Sequence, residues 1–380
     1  MIRQPPEAPL ARSFREVLLV GPLPPPSGGM ANQTRQLAQL LRDEHVHVTV
    51  VQTNSAARPA WVARVRGVRA VFRLVPFAAQ LWQALAHADV VHVMANSGWS
   101  WHLCAAPAIW LSALRRVPVV VNYRGGGAES FLERQHGVVR PTLARAAALV
   151  VPSGFLAAVF AKHGFSARIV QNIVDLRAFT HADSLPSSPH VVVTRNLEAI
   201  YDNATALRAF ATLRRRHPQA RMTIAGEGPE RRSLEALCET LGIAASVRFT
   251  GRLDNTALPE LYRSATVVVN PSTVDNMPVS LLEALACGVP IVSTNVGGIP
   301  FLVEHDVDAL LVPAGDSDAM AQALLQITEE PAIALRLRQA GTVTARRYAW
   351  PAVRPLLFAA YADAMASAAS ARAIGERKAW

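Results

Sequence analysis

The stretch DNMPVSLLEALACGVPIVSTNVGGIP, residues 275–300, follows the apolar run ATVVVNPS (265–272) and contains a second one, VPIVST (289–294). Both runs are strand-sized, and the segment between them, VSLLEALA, has helical spacing. A strand, a turn, a helix and a further strand make one βαβ unit. Asp275 lies in the loop after the first strand, and Glu283, eight positions on, lies a little over one turn into the helix. In open α/β sheets, ligands bind beyond the carboxyl ends of the strands, where this loop falls. Two acids so placed can each accept hydrogen bonds from sugar hydroxyls. Gly288 and Pro290 turn the chain into the next strand, and Gly297 and Gly298 are expected to let the backbone approach a ligand closely.

The same alternation extends in both directions. VVVT (191–194), ARMTIAG (220–226), SVRFTG (246–251) and ALLVPAGD (309–316) read as further strands of a second array. VLLV (17–20), HVTVVQ (47–52), ADVVHVM (88–94), VPVVVNY (117–123), ALVVPS (148–153) and RIVQNIVD (168–175) read as strands of a first. Between the arrays, THADSLPSSPH (180–190) is polar and Pro-containing with no periodicity, which marks a linker. A chain of 380 residues exceeds one ordinary core, so two α/β domains are expected: 1–180, and 181–349. Beyond Trp350 the sequence is Ala-rich and helical in pattern.

Charge is unevenly divided. Residues 1–180 hold 19 Lys and Arg against 8 Asp and Glu, whereas 181–380 hold 19 against 20. The excess in the first half points to an anionic partner, or else to an Arg-rich solvated face, since 36 of the 38 basic residues are Arg. Within it, RPAWVARVRGVRAVFRLVPFAAQLW (58–82) sets Arg64, Arg66, Arg69 and Arg73 among Trp61, Phe72 and Phe77. That pattern suits either a helix lying on anionic lipid or a core-facing helix with a basic outer face. The charge alone would also fit nucleic acid, but no nucleic-acid motif is present, and none is expected as a partner. Three cysteines, Cys104, Cys238 and Cys287, make neither a disulfide framework nor a metal spacing. The first residues lack the apolar core of a secretory signal, and the longest apolar stretch, 99–114, is interrupted and shorter than the ~20 residues of a spanning helix. A cytoplasmic location, with peripheral membrane contact at most, is expected.

Taken in order, from Gly28-Gly29 to VPAGD (312–316), these motifs resemble the retaining GT-B glycosyltransferases of the family-4 type. The resemblance implies two Rossmann-like domains with parallel sheets facing across a cleft, and a C-terminal helix, 350–380, returning to the first domain. It implies sugar transfer with retention from a nucleoside-diphosphate sugar, UDP- or GDP-linked, to a hydroxyl of a glycan or lipid-linked acceptor. Neither a cofactor nor a metal is implied. By position, Asp275 would bind donor-sugar hydroxyls, and backbone amides of Asn276, Met277 and Pro278 would face that sugar. Glu283 would bind the ribose hydroxyls, and Val279 and Ser280 open the helix whose N-terminus faces the diphosphate. Gly226 and Gly228 match a donor-site loop, Arg252 the loop cradling the base, and Gly28 and Gly29 the N-terminal loop near the phosphates. Arg195 matches the diphosphate arginine, whose fork suits bidentate phosphate contact.

The sequence departs from the family in two places. A Lys-Gly pair usually follows that arginine, and Tyr201-Asp202 stands there instead. Arg124 replaces a histidine after VPVVVNY, and is expected to supply the missing diphosphate cation unless it pairs with Glu129 or Glu133. His92 matches a frequent family histidine, but a histidine inside a buried strand is more often structural. A nucleotide-sugar epimerase of the same fold, or a non-catalytic protein binding nucleotide sugars or anionic surfaces, is the alternative.

Overall fold

The computed structural model describes residues 14–25, 28–55, 68–181, 186 and 188–377; the side chains of 68–71 and 371–377 lie outside the description. Contacts divide the chain into two units: Met1–Val150 with His163–Arg168 and Leu356–Trp380, and Val151–Lys162 with Ile169–Pro355.

The first unit is built on β1 (Glu16–Gly21), β2 (His47–Gln52), β3 (Val90–Ala95), β4 (Val119–Tyr123), β5 (Ala148–Val151) and the two-residue β6 (Arg168–Ile169). They form a sheet in the order β2-β1-β3-β4-β5-β6, with parallel pairing from β2 through β5. Every residue of β3 and β4 is buried, as expected of central strands covered by helices on both faces. The helices are α1 (Gly29–Asp43), α2 (Val68–Ala84), α3 (Ala106–Leu114) and α4 (Ala128–Leu143). α12 (Trp350–Arg377) begins in the second unit and continues into the first, where the rings of Phe358 and Tyr361 meet Phe14 edge-on at 5.1 and 5.2 Å.

The second unit carries β7 (His190–Val193), β8 (Arg221–Ile224), β9 (Val247–Phe249), β10 (Val267–Asn270), β11 (Ile291–Thr294) and β12 (Leu310–Val312). Their order is β12-β11-β10-β7-β8-β9, parallel throughout. α5 (Gly154–Lys162), α6 (Asn203–Arg216), α7 (Arg231–Thr240), α8 (Leu258–Arg263), α9 (Val279–Ala286), α10 (Ser317–Glu329) and α11 (Pro331–Arg346) complete it. Strand alternation divides the core: Val191, Val193, Met222 and Ile224 pack with Leu207 and Phe210 of α6 and Leu324 of α10. Val192, Val268 and Ile291 face Leu281, Leu282 and Leu285 of α9. Successive strands leave β7 toward β9 on one side and β10 toward β12 on the other. The order therefore reverses between β7 and β10, and the loops after those two strands diverge to open a crevice.

One expectation needs correction. RIVQNIVD pairs as strand only at Arg168–Ile169. Its remainder serves the second unit: Val174 forms an isolated bridge with Ala349, and Asn172 Nδ2 donates to the Met277 carbonyl at 2.8 Å. The basic stretch is helical from Val68; residues 58–67, with Arg64 and Arg66, lie outside the described residues, as does the Arg69 side chain.

Candidate active site

The crevice of the second unit gathers most of the expected donor-site residues. β7 ends one residue before Thr194-Arg195, and β10 runs into Pro271–Asp275 before α9 starts. Arg195 is the centre. Its Nη2 forms an ion pair with Asp275 Oδ2, with both side chains about one-eighth exposed. Nη1 donates to Ser280 Oγ and Nη2 to Ser272 Oγ, each at 3.4 Å. The guanidinium lies 4.6 Å from the centre of the Tyr201 ring, a cation–π contact. Its buried Nε has no hydrogen-bond partner. Burial lowers the guanidinium pKa, and the neighbouring Tyr201 and Tyr262 oppose that shift.

Tyr201 and Asp202 thus have roles of their own. Tyr201 supplies a ring beneath Arg195 in place of a second cation. Asp202 takes a left-handed conformation (φ 38°) and caps α6, accepting from Thr205 N at 3.3 Å and Thr205 Oγ1 at 2.7 Å. Glycine takes that conformation without steric cost; Asp takes it here while its side chain satisfies one of the orphan amides at the helix start, that of Thr205.

Glu283 is nearly buried on α9 and accepts a hydrogen bond from the Tyr262 hydroxyl at 3.0 Å. Because Tyr262 has one proton to give, Thr194 Oγ1, 2.9 Å away, donates to the phenol oxygen. Burial raises the Glu283 carboxyl to about 8, and the Tyr262 hydrogen bond opposes that shift. Neither Tyr262 nor Thr194 was visible as a site residue in sequence, because their partner is 21 positions or more distant.

The turn before α9 is firmly held. Asn276 N donates to Asp275 Oδ1 at 2.9 Å, and Ser153 Oγ donates to Asn276 Oδ1 at 2.5 Å. Of the three amides expected to face a sugar, that of Asn276 is therefore occupied and Pro278 has none, which leaves Met277; the Met277 side chain is buried in the core. The amides of Val279 and Ser280 open α9 without intrahelical partners. Gly297-Gly298 admit protein backbone: a β-carbon on Gly298 would collide with the Asn276 carbonyl, and Gly298 N donates to the Asp275 carbonyl at 3.0 Å. Gly226 and Gly228 likewise lie against the carbonyls of Arg195 and Leu197, and so fix the loop that carries Arg195. Arg252 is exposed in the bend after β9.

In the first unit, Gly28 caps α1, and Gly28 and Gly29 are exposed with open space around both. Arg124, after β4, is held by side-chain carbonyls and not by Glu129 or Glu133. Its Nε donates to Asn122 Oδ1 at 3.3 Å and its Nη1 to Gln33 Oε1 at 3.4 Å. The contact fixes a chain of donors. Arginine only donates, so Asn122 presents its oxygen to Arg124 and its Nδ2 to His92 Nε2, 3.1 Å away. His92 Nε2 is then an acceptor, and Nδ1–H donates to the Tyr361 hydroxyl at 2.8 Å. Burial, followed by the Arg124 charge, holds the His92 pKa down at about 3, so the ring is neutral. His92 is thus fully buried in β3, with both ring nitrogens hydrogen-bonded inside the first unit.

Residues 187–344 match the family described as Glycosyl transferases group 1, and residues 27–178 match Glycosyltransferase Family 4. D-inositol 3-phosphate glycosyltransferase of Saccharomonospora viridis is 36% identical over 170 residues, 42% of this chain and 39% of that protein. Glycogen synthase of Mycobacterium tuberculosis is 28% identical over 266 residues, 66% of this chain and 63% of that protein. The matched stretches thus span less than two thirds of these relatives. Among solved structures, sucrose-phosphate synthase from Thermosynechococcus elongatus superposes with a TM-score of 0.76 at 21% identity, over 93% of this chain and 100% of that one. Anabaena HepE, solved in complex with UDP and glucose, superposes with 0.69 at 17%, over 90% and 98%. Both likenesses concern the fold. With two parallel six-stranded sheets and these two matches covering most of its length, the chain belongs to the GT-B glycosyltransferases, Family 4 in its first half and group 1 in its second.

Proposed function

We propose that this protein transfers a sugar, with retention and without a metal, from a nucleoside-diphosphate sugar to a hydroxyl of a glycan or lipid-linked acceptor. The observation that carries the reading is the convergence, at one topological switch point, of Arg195 with an unpartnered Nε, Asp275, Glu283 and the opening of α9. HepE, a relative in fold, is described in complex with UDP-glucose, which supports a donor of that class.

In this reading the diphosphate takes the place of Asp275 as the partner of Arg195. Asp275, released, accepts hydrogen bonds from hydroxyls of the donor sugar. Glu283 accepts from the ribose hydroxyls, and the amides at the start of α9 face the phosphates. As the sugar–phosphate bond breaks, negative charge grows on the leaving diphosphate, and these fixed donors stabilise it. The acceptor hydroxyl attacks from the face the diphosphate leaves, which needs no protein nucleophile.

The acceptor side is proposed to be membrane-proximal, with the protein cytoplasmic and peripheral. In the first unit, Trp82 of α2 and Trp110 of α3 are exposed and carry Arg115 and Arg145 stacked at 3.7 and 3.4 Å from their ring centres. Leu114, next to Arg115 in sequence, is 70% exposed. Aromatic rings capped by guanidinium groups suit an anionic lipid interface. No helix among the described residues is long and apolar enough to cross a membrane.

The test is a thermal-shift panel of UDP, GDP, ADP and CMP with and without magnesium. A ligand at 100 times its dissociation constant stabilises by about 2.7 kcal/mol. One diphosphate should raise the midpoint equally with and without magnesium. If no nucleotide does so, the donor assignment is wrong; if magnesium is required, the metal-free mechanism is.

A further inference from the structure

At the other end of the second sheet, the amino ends of β7, β8 and β9 border a cavity of about 670 Å³, a volume ordinary for small-molecule sites. It runs from the strand starts at His190, Arg221 and Val247 along β9 to Thr250 and Leu253, and its lining includes none of Arg195, Asp275 and Glu283 of the donor crevice. Its lining includes Arg214, Arg221 and Arg248 and contains no aspartate or glutamate.

The local sequence shows why the cavity is there. Central strands of a doubly wound sheet are apolar on both faces, as β10 is. β8 (RMTI) and β9 (VRF) instead alternate. Met222, Ile224, Val247 and Phe249 turn to the α6 side of the core. The opposite face presents Arg221, Thr223, Arg248 and Thr250. The parallel register pairs His190 with Arg221 and Thr223 with Arg248, so these side chains stand next to one another on that face.

His190 adds no charge. Its Nδ1 donates to the Ser264 carbonyl at 2.7 Å and its Nε2 accepts from Thr223 Oγ1 at 2.9 Å, a neutral ring that braces the floor. Arg214 is oriented by donating Nη1 to the Ala220 carbonyl at 3.3 Å. Elsewhere on this unit arginines pair with acids: Arg216 with Glu329, Arg231 with Glu235 and Arg336 with Asp306. Three guanidinium groups around one concavity without a carboxylate repel one another, and an anion placed among them removes that repulsion.

We propose that this cavity binds a small organic phosphate at a site separate from the donor crevice. Arg221 and Arg248 contact the phosphate through guanidinium forks, and Arg214 supplies the third positive charge. The Thr250 hydroxyl, which donates to the Gly251 carbonyl at 3.0 Å, keeps lone pairs that can accept from the organic body, and the space beside it takes the rest. A concavity of this size, bounded by helix and loop, fits a compact ligand and not a polyanion's extended backbone.

The full chain is titrated calorimetrically at low salt with glucose 6-phosphate, inorganic phosphate and glucose. The same titrations are run on Arg221→Gln, Arg248→Gln and Arg195→Gln. Both cavity arginines are exposed, so their variants should fold, which an unchanged melting midpoint verifies. The expected result is that glucose 6-phosphate binds more tightly than inorganic phosphate and glucose not at all. Affinity should fall about tenfold or more for each cavity arginine replaced, weaken with added salt, and survive Arg195→Gln. The proposal is overturned if neither phosphate binds, if inorganic phosphate binds equally well, or if Arg195→Gln abolishes binding that the cavity variants leave intact. Because glucose 6-phosphate carries no nucleotide, failure here leaves the donor assignment standing.

Discussion

Replacing His92 with glutamine should flatten the acid side of this protein's stability curve. His92, Asn122 and Tyr361 are all buried, and their hydrogen bonds run in one direction, from Arg124 to Asn122 to His92 to Tyr361. Protonating His92 would place a donor against the Asn122 amide donor, beside the Arg124 charge. The folded-state pKa is accordingly depressed from 6.5 to about 3, burial being the larger cause. Between those two values the unfolded chain holds a proton that the folded chain does not, so stability falls as pH falls, by up to about 1.4 kcal/mol per pH unit. From pH 6.5 to 4.5 this one residue costs about 2 kcal/mol. For a unit of this size that is a fall in melting midpoint of about 4–8 °C. Carboxylates titrate over the same range, but they do so equally in wild type and His92→Gln, and cancel in the difference. Glutamine can keep an acceptor toward Asn122, so the variant should lose some stability at pH 7 yet close the gap, or reverse it, at pH 4.5. Thermal melts of both proteins at half-unit intervals make the comparison. Parallel curves, with a constant gap from pH 7 to 4.5, would refute the neutral-histidine reasoning.

The Glu283 carboxyl behaves in the opposite sense: its folded pKa is raised to about 8, so its favourable state is the protonated one, and its contribution is lost as pH rises from 4.5 through 8. Glu283→Gln should therefore melt increasingly above wild type as pH rises through that window, read by the same scans. Tyr201→Leu removes the ring beneath Arg195 and should weaken nucleoside-diphosphate binding roughly two- to fivefold, as a cation–π contact of about 0.5–1 kcal/mol implies; calorimetry measures it. Gly298→Ala drives a β-carbon into the Asn276 carbonyl and should lower the melting midpoint while displacing the 275–278 turn, with a larger loss in donor binding than in stability.

Much of this arrangement was legible in the sequence because it follows from local pattern. Short apolar runs divided by helical spacing mark all twelve strands, overextending β6 most, and the acids at 275 and 283 fall beside a strand's carboxyl end wherever the sheet is drawn. What was not legible depends on partners far along the chain. Nothing local to Asp275 says that Arg195 holds it, or that Tyr201 lies beneath that guanidinium. RIVQNIVD has the composition of a strand, but after Ile169 its residues are drawn to Tyr348, Ala349 and Met277, and the pairing ends. Gly297-Gly298 read as room for a ligand, since sequence records an absent side chain but not which backbone fills its place. The polar face of β8 and β9 was overlooked for a related reason: with strands of four and three residues, alternation is too brief to separate from noise.

The central claim is that Arg195 and Glu283 hold a nucleoside diphosphate at the switch point of the second sheet. Isothermal titration of UDP, or of the best diphosphate in the thermal panel, into wild type, Arg195→Gln and Glu283→Ala without metal tests it most directly. The account predicts saturable binding to wild type, weakened by tenfold or more in each variant while both remain folded. Equal binding to all three proteins, or binding to none of them, would contradict it.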